Sequence, residues 1–161
     1  MAERDHEKFM KRAIELSEKA GITDKTGGVF GAVVVKDGKI IGEGYNRVAG
    51  DCDATCHAEV DAIRKACKAA GTPHLEGCTL YTSAYCCPMC LCAAYWAHIK
   101  EIYYAATMDD AKKYGDFKDV DYFKELALPD NKRSIPMKEC CRPEAVLVWE
   151  KFSKMPDRAR Y

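Results

Sequence analysis

An excess of charge of either sign is missing from this sequence: 25 Lys and Arg stand against 25 Asp and Glu, a formal net charge of zero. That argues against a broad basic surface for nucleic acid, although it leaves room for a local patch. Long hydrophobic runs are missing as well. A spanning helix needs about 20 consecutive apolar residues, and the longest apolar stretches, around Val33–Val35 and Leu91–Ala97, are far shorter. The opening segment, Met1–Arg12, is charged and helical in pattern rather than apolar, so no secretory leader is expected. Internal repeats, low-complexity stretches and long linkers are also lacking. The expectation is a soluble, cytoplasmic chain with no membrane attachment. Its 161 residues, 48% hydrophobic and 31% charged, have the length and balance of one globular domain.

Cysteine is plentiful, with ten in the chain. In a small secreted protein that number would suggest a disulfide framework. Without an export signal, and with enough length for a core, reduced thiols are the better reading. Such cysteines serve as core hydrophobes, metal ligands or nucleophiles. Cys140 and Cys141 are adjacent, and a bridge between them would be strained. Cys52, Cys56, Cys67, Cys78, Cys92, Cys140 and Cys141 are expected to be structural or incidental.

Periodicity gives an order of elements. Residues 4–20 place Phe9, Met10, Ala13, Ile14, Leu16 and Ala20 among charges, an amphipathic helix with Gly21 as its stop. Val29–Lys36 and Lys39–Tyr45 read as strands joined by the two-residue turn Asp37-Gly38. A polar loop follows over residues 46–56. His57–Ala70 reads as a helix ended by Gly71, Cys78–Thr82 as a short strand, Pro88–His98 as a helix with proline in its first turn, and Glu101–Ala105 as a strand. Asp109–Leu126 reads as short helical pieces and Pro143–Phe152 as a last helix. The unit from Leu80 to Ile102 predicts a helix crossing over to a parallel neighbour, within a sheet layered by helices on both faces.

Two segments carry chemistry. His57-Ala58-Glu59 stands at the start of one predicted helix, and Cys87-Pro88-Met89-Cys90 enters another. Neither is informative by itself: a lone histidine near a helix start is usually a cap or surface residue, and one C-x-x-C pair serves redox chemistry or plain packing. Together they supply one nitrogen and two thiolates, and catalytic zinc sites use three such ligands with a fourth position left for water. The helix dipole favours thiolates at that end. Glu59 stands two residues from the histidine, where it moves protons rather than binds the ion. A structural zinc with Cys86 or Cys92 as fourth ligand, and a thioredoxin-like redox pair, are the competing readings.

His-x-Glu followed by Cys-x-x-C is the signature of zinc-dependent nucleobase deaminases. The sequence resembles the cytidine deaminase superfamily over nearly its whole length, and within it the bacterial-type guanine deaminases. The matching stretches are 27–35 (GGVFGAVVV), 42–46 (GEGYN), His57-Ala58-Glu59-Val60 with Ala62-Ile63-Arg64, Pro88-Met89-Cys90-Leu91, Tyr95-Trp96-Ala97 and the terminal Tyr161. The resemblance implies a three-layer α/β/α fold with a mixed central sheet. It implies zinc held by His57, Cys87 and Cys90, with Glu59 as proton shuttle and backbone donors near Ala58 and Cys87. It implies Asn46 bonded to the base, and Phe30 and Trp96 as pocket walls where core packing is the alternative. Asp119 would meet the purine edge, or else be a solvated loop residue. Residues 153–161 would close a partner's pocket with Tyr161, in a homodimer with exchanged C-terminal segments.

The implied reaction is hydrolytic removal of an amine from a free purine base, guanine going to xanthine and ammonia. The chain departs from the family at Tyr85-Cys86, where Glu-Pro is usual, and at Val29, where proline is common before Phe30. Those departures keep other substrates open: guanosine, cytosine, adenosine in tRNA, or a triazine or pterin amine. A non-catalytic, zinc-stabilised binding module is the remaining alternative.

Overall fold

The computed structural model describes residues 3–117 and 122–160. Helix α1 (Glu3–Glu18) is followed by a π-helical turn (Lys19–Thr23), strands β1 (Gly31–Lys36) and β2 (Lys39–Tyr45), and helix α2 (Ala58–Ala70). Strand β3 (Thr79–Ala84), helix α3 (Pro88–Trp96), strand β4 (Glu101–Ala106) and helix α4 (Met108–Gly115) come next. Two further helices, α5 (Tyr122–Ala127) and α6 (Arg142–Ser153), lie beyond them. The chain divides into two compact units, residues 1–120 and 121–161. No helix among the described residues is long and apolar enough to cross a membrane.

The first unit is an α/β/α sandwich around a mixed four-stranded sheet of order β2-β1-β3-β4. β1 is antiparallel to both β2 and β3, while β3 and β4 are parallel and joined through α3. Alternation along β1 sends its valines to opposite faces. Val33 and Val35 join Tyr81 and the α1 residues Phe9, Ala13 and Leu16 on one side. Ala32 and Val34 join Leu80 and the α2 and α3 residues Ala58, Ala62, Ala66, Cys90 and Ala94 on the other. The Asp37-Gly38 turn has φ of +49° and +74°, the left-handed pair that a two-residue hairpin requires.

Several expected boundaries move by one or two residues, β1 beginning at Gly31 rather than Val29 and β3 running to Ala84 rather than Thr82, and two of the shifts have a clear cause. Gly21 does not stop α1; the α-helix ends at Glu18, and Gly21 sits inside the π-helical turn. A Cβ on Gly21 would run into the Val29 side chain, so close chain approach, not capping, selects glycine there. α3 ends at Trp96 rather than His98, because His98 takes a left-handed φ of +54°. Gly71 does cap α2 at φ +67°, its N–H donating to the Cys67 and Lys68 carbonyls.

A bulge fixes how α2 lies on the sheet. The register shifts between Val34 and Val35, leaving Ile41 opposite no partner. Ile41 and Gly42 then both face α2. A Cβ on Gly42 would strike the Ala62 carbonyl, and one on Gly44 the Ala58 carbonyl. The pair Gly42 and Gly44 against Ala58, Ala62 and Ala66 brings the α2 backbone down onto β2.

In the second unit, α5 and α6 bury no residue. Leu147, Val148, Trp149, Phe152 and Met155 are all exposed. The chain after α6 turns back on it: Arg158 donates to the Ser153 carbonyl at 2.7 Å and lies 6.0 Å from the centre of the Phe152 ring.

Candidate metal centre

Because β1 runs against β2 and β3, its first residue lies beside their last ones; Gly31 pairs with Tyr45 and Ala32 with Thr82. The carboxyl ends of β2 and β3 and the loops leaving them therefore meet at one end of the sheet, where open α/β sheets place their ligands. β2 leads through residues 46–56 to α2, and β3 leads through Tyr85 and Cys86 to α3. His57 is the N-cap of α2 and Cys87 the N-cap of α3, each in extended backbone with ψ of 151° and 166°. Pro88 at the first position of α3 supplies a φ suited to the turn. Two helix N-termini thus converge, and the N–H groups of their first turns favour negative charge between them; the Cys90 N–H already donates to the Cys87 sulfur.

Three ligand atoms meet there. His57 Nδ1 lies 3.6 Å from Cys87 Sγ and 3.4 Å from Cys90 Sγ, and the two sulfurs are 3.5 Å apart. Tetrahedral zinc, with bonds of about 2.3 Å to sulfur and about 2.0–2.1 Å to nitrogen, separates sulfurs by about 3.8 Å and sulfur from nitrogen by about 3.6 Å. The triad matches that spacing within a few tenths of an ångström, so the donor set and its geometry fit zinc. Cys86 is buried and Cys92 exposed, and neither joins the cluster as a fourth ligand. Three protein ligands is the number that catalytic zinc sites use.

The electrostatics follow from burial and from the proton the sulfurs share. Cys87 is drawn down to about 4, chiefly because Cys90 hydrogen-bonds to it, with His57 adding to the effect against the upward push of burial. Cys90 moves upward as the partner in that bond and as a buried thiol. Cys86 is pushed up by burial and then by the neighbouring Glu59 and Cys87. Glu59, in the first turn of α2, is 3% exposed, and burial raises its carboxyl above the ordinary range, with the Cys87 charge adding to the rise. It hydrogen-bonds with Cys90 yet stands outside the ligand triad.

The expected pocket residues fall unevenly. Asn46, just after β2, is buried; its Oδ1 accepts from the Val48 N–H at 3.2 Å and its own N–H donates to the Phe30 carbonyl at 3.0 Å. Arg47 N–H donates to the Cys56 carbonyl at 3.0 Å, which ties this strand end to the residue before His57. Phe30 packs against the core cluster that contains Ala58, Cys86 and Cys90. Ala58 is fully buried. Trp96, at the far end of α3 about 9 Å of helix rise beyond Cys90, is 70% exposed and so is not a core residue. Asp119 and Tyr161 lie outside the described residues.

Sequence reasoning missed three contributors. Phe117 packs against Phe30 with ring centres 5.4 Å apart and the ring planes tilted by 55°. Gly28 faces both rings, and a Cβ there would come within 2.9 Å of each. Gly27 lies directly on the Asn46 carboxamide, where a Cβ would strike its oxygen. The glycine pair was visible in the sequence, but nothing local assigned it to that contact. Phe117 stood in a stretch read as helical pieces, where a lone aromatic carries no periodic signal.

Comparison with known proteins shows the family. The model of the cytidine and deoxycytidylate deaminase zinc-binding region matches residues 3–106. The guanine deaminase of Bacillus subtilis (strain 168) is 45% identical over 157 residues, 98% of this chain and 99% of its own. The X-ray structure of guanine deaminase from Bacillus subtilis superposes with a TM-score of 0.90 at 45% identity, covering 97% of this chain and 98% of its own. A tRNA-specific adenosine deaminase of Agrobacterium fabrum (strain C58) is 42% identical over 106 residues, 66% of this chain and 67% of its own. A crystal structure in complex with 2,6-diaminopurine is 32% identical with a TM-score of 0.64, covering 68% of this chain and 61% of its own. Residues 3–106 include His57, Cys87 and Cys90, and the chain belongs to the cytidine and deoxycytidylate deaminases and carries their zinc-binding region.

Proposed function

We propose that the chain is a zinc-dependent hydrolytic deaminase of a free purine base, converting guanine and water to xanthine and ammonia. The observation that carries this reading is the extent of the likeness to guanine deaminase. It runs through 98% of the chain, whereas the tRNA-specific relative accounts for 66%. Adenosine in tRNA is further disfavoured by a net charge of zero, since affinity for a phosphate backbone rests on cationic contacts.

His57, Cys87 and Cys90 would hold the zinc. When bound, zinc supplies Lewis acidity that lowers the pKa of a coordinated water to about 7. The chain's own work is orientation and proton transfer. Glu59 would accept one proton from the attacking water and pass it to the ring nitrogen, then accept the proton of the newly attached hydroxyl and pass it to the amine, which leaves as ammonia. Its burial favours the protonated carboxyl that the second half of this cycle needs. The backbone N–H groups at the starts of α2 and α3, near Ala58 and Cys87, are oriented donors for negative charge growing on the oxygen and nitrogen atoms bound to the attacked carbon. Asn46, with a carboxamide that both donates and accepts, would read the base edge while Phe30 covers its face.

Asp119 and Trp96 complete the substrate reading, Asp119 as acceptor for N–H groups of the purine edge and Trp96 as an aromatic wall. The reading extends to a homodimer in which residues 153–161 of one copy close the pocket of the other with Tyr161. Its support is the second unit: segments of about 40 residues rarely hold a core alone, and here Trp149 is 70% and Val148 66% exposed. Ten free thiols accord with a reducing, cytoplasmic location.

The test is a deamination assay of zinc-loaded protein on guanine, guanosine, cytosine, adenine, a triazine and a pterin. Guanine should be turned over with release of one ammonia, and the others far more slowly. Turnover of another ring in preference to guanine would overturn the substrate assignment and leave the metal centre standing.

A further inference from the structure

The sequence has a second His-x-Glu, His74-Leu75-Glu76, which the deaminase site leaves unused. It lies in the loop between α2 and β3, past the carboxyl end of α2. That helix begins at the metal centre and its 13 residues rise about 20 Å. Burial alternates along the motif. Leu75 is 1% exposed and anchors the loop, its N–H donating to the Ala97 carbonyl at 2.7 Å, while His74 and Glu76 stand on the outer side. His98 approaches from the turn after α3. Its left-handed φ of +54° aims it there, and the turn is fixed by Ile99 N–H to the Ala94 carbonyl at 3.0 Å and Lys100 N–H to the Cys78 carbonyl at 2.9 Å.

These side chains converge. His98 Nδ1 is 3.0 Å from a Glu76 carboxylate oxygen, and the His74 and His98 rings stack with centres 4.6 Å apart. One ligand atom from each residue lies within 4.8 Å of the other two. The His74 Nδ1 is buried and has no hydrogen-bond partner. A buried nitrogen is rarely left that way unless something outside the chain satisfies it. Two imidazoles and one carboxylate form a ligand set suited to zinc and the neighbouring first-row ions, with positions left for water.

We propose that His74, Glu76 and His98 bind a divalent transition-metal ion at a second site, separate from the catalytic triad. Binding turns the stacked rings edge-on to the ion, a side-chain movement open to residues on a loop and a turn. The ion then clips the α2–β3 loop to the α3–β4 turn, at the pole opposite the ends of α2 and α3 that carry His57 and Cys87.

The experiment uses protein already holding its catalytic zinc. It is equilibrated with free zinc ion in the micromolar range and read by elemental analysis, calorimetric titration and melting temperature. Wild type should take up one further equivalent and melt at a higher temperature with it. His98→Asn, which keeps a residue tolerant of the left-handed backbone, and Glu76→Gln on the exposed rim should both lose that equivalent and the thermal shift. Their deamination rates should match wild type. The proposal is overturned if wild type binds no zinc beyond the catalytic equivalent, or if the second equivalent persists in the His98→Asn, Glu76→Gln double variant.

Discussion

Glu59 touches the ligand sulfurs' surroundings without being a ligand, and that placement separates its role from theirs. Removing His57, Cys87 or Cys90 takes away part of the triad, so metal and activity should fall together. Glu59→Gln keeps shape and volume at a buried position and removes only the proton acceptor. Its expected result is a rate lower by about 10²–10⁴-fold, with one zinc retained at the triad and the melting temperature little changed. Steady-state kinetics beside elemental analysis reads both at once. Near-wild-type turnover would remove Glu59 from the proton path. At this scale the sequence was informative, because His-x-Glu and C-x-x-C are local patterns whose spacing is itself the chemistry. Phe117 was not legible, since its meeting with Phe30 joins two loops about 90 positions apart and depends on the fold.

Elements carry these side chains to their places, and the contact of α2 with β2 matters most. His57 and Glu59 flank Ala58, whose carbonyl rests on the Gly44 backbone. A methyl at Gly44 collides with backbone, not with the end of a flexible side chain, so helix and strand must part. Gly44→Ala should therefore cost about 1–3 kcal/mol of stability, the usual toll of overpacking, and should weaken zinc retention because the first turn of α2 moves with its ligand. Thermal melting and zinc loss to a chelator measure the two effects. Unchanged values for both would show that the approach is looser than the structure has it. The element order was readable from periodicity and turn chemistry: the Asp37-Gly38 hairpin, the Gly71 cap and the parallel β3–α3–β4 unit all follow local rules. The bulge opposite Val34 and Val35, and the π-helical turn after α1, were not readable. Both answer to partners distant in sequence, and single glycines such as Gly21 do not announce whether they cap a helix or admit a neighbour.

For the whole molecule, exchange between copies tests the role of the second unit. Suppose Tyr161 of one chain closes the pocket of the other. A chain lacking Tyr161 then has an intact triad and Glu59 but no closing residue from a like partner. A Glu59→Gln chain has the closing residue but no working proton carrier. Each homodimer should be nearly inactive while both keep their zinc. Mixed after reversible dissociation, the two chains form heterodimers in which the pocket with Glu59 receives Tyr161 from its partner, and the other pocket lacks both. With random pairing in equal amounts, half the dimers are mixed and half of their sites work, so activity should return to about a quarter of wild type. A tail that closes its own pocket predicts no recovery on mixing, because no combination then puts both residues at one site. Size-exclusion chromatography of the mixture confirms that subunits have exchanged, and the recovered rate decides between closure within one chain and closure across two.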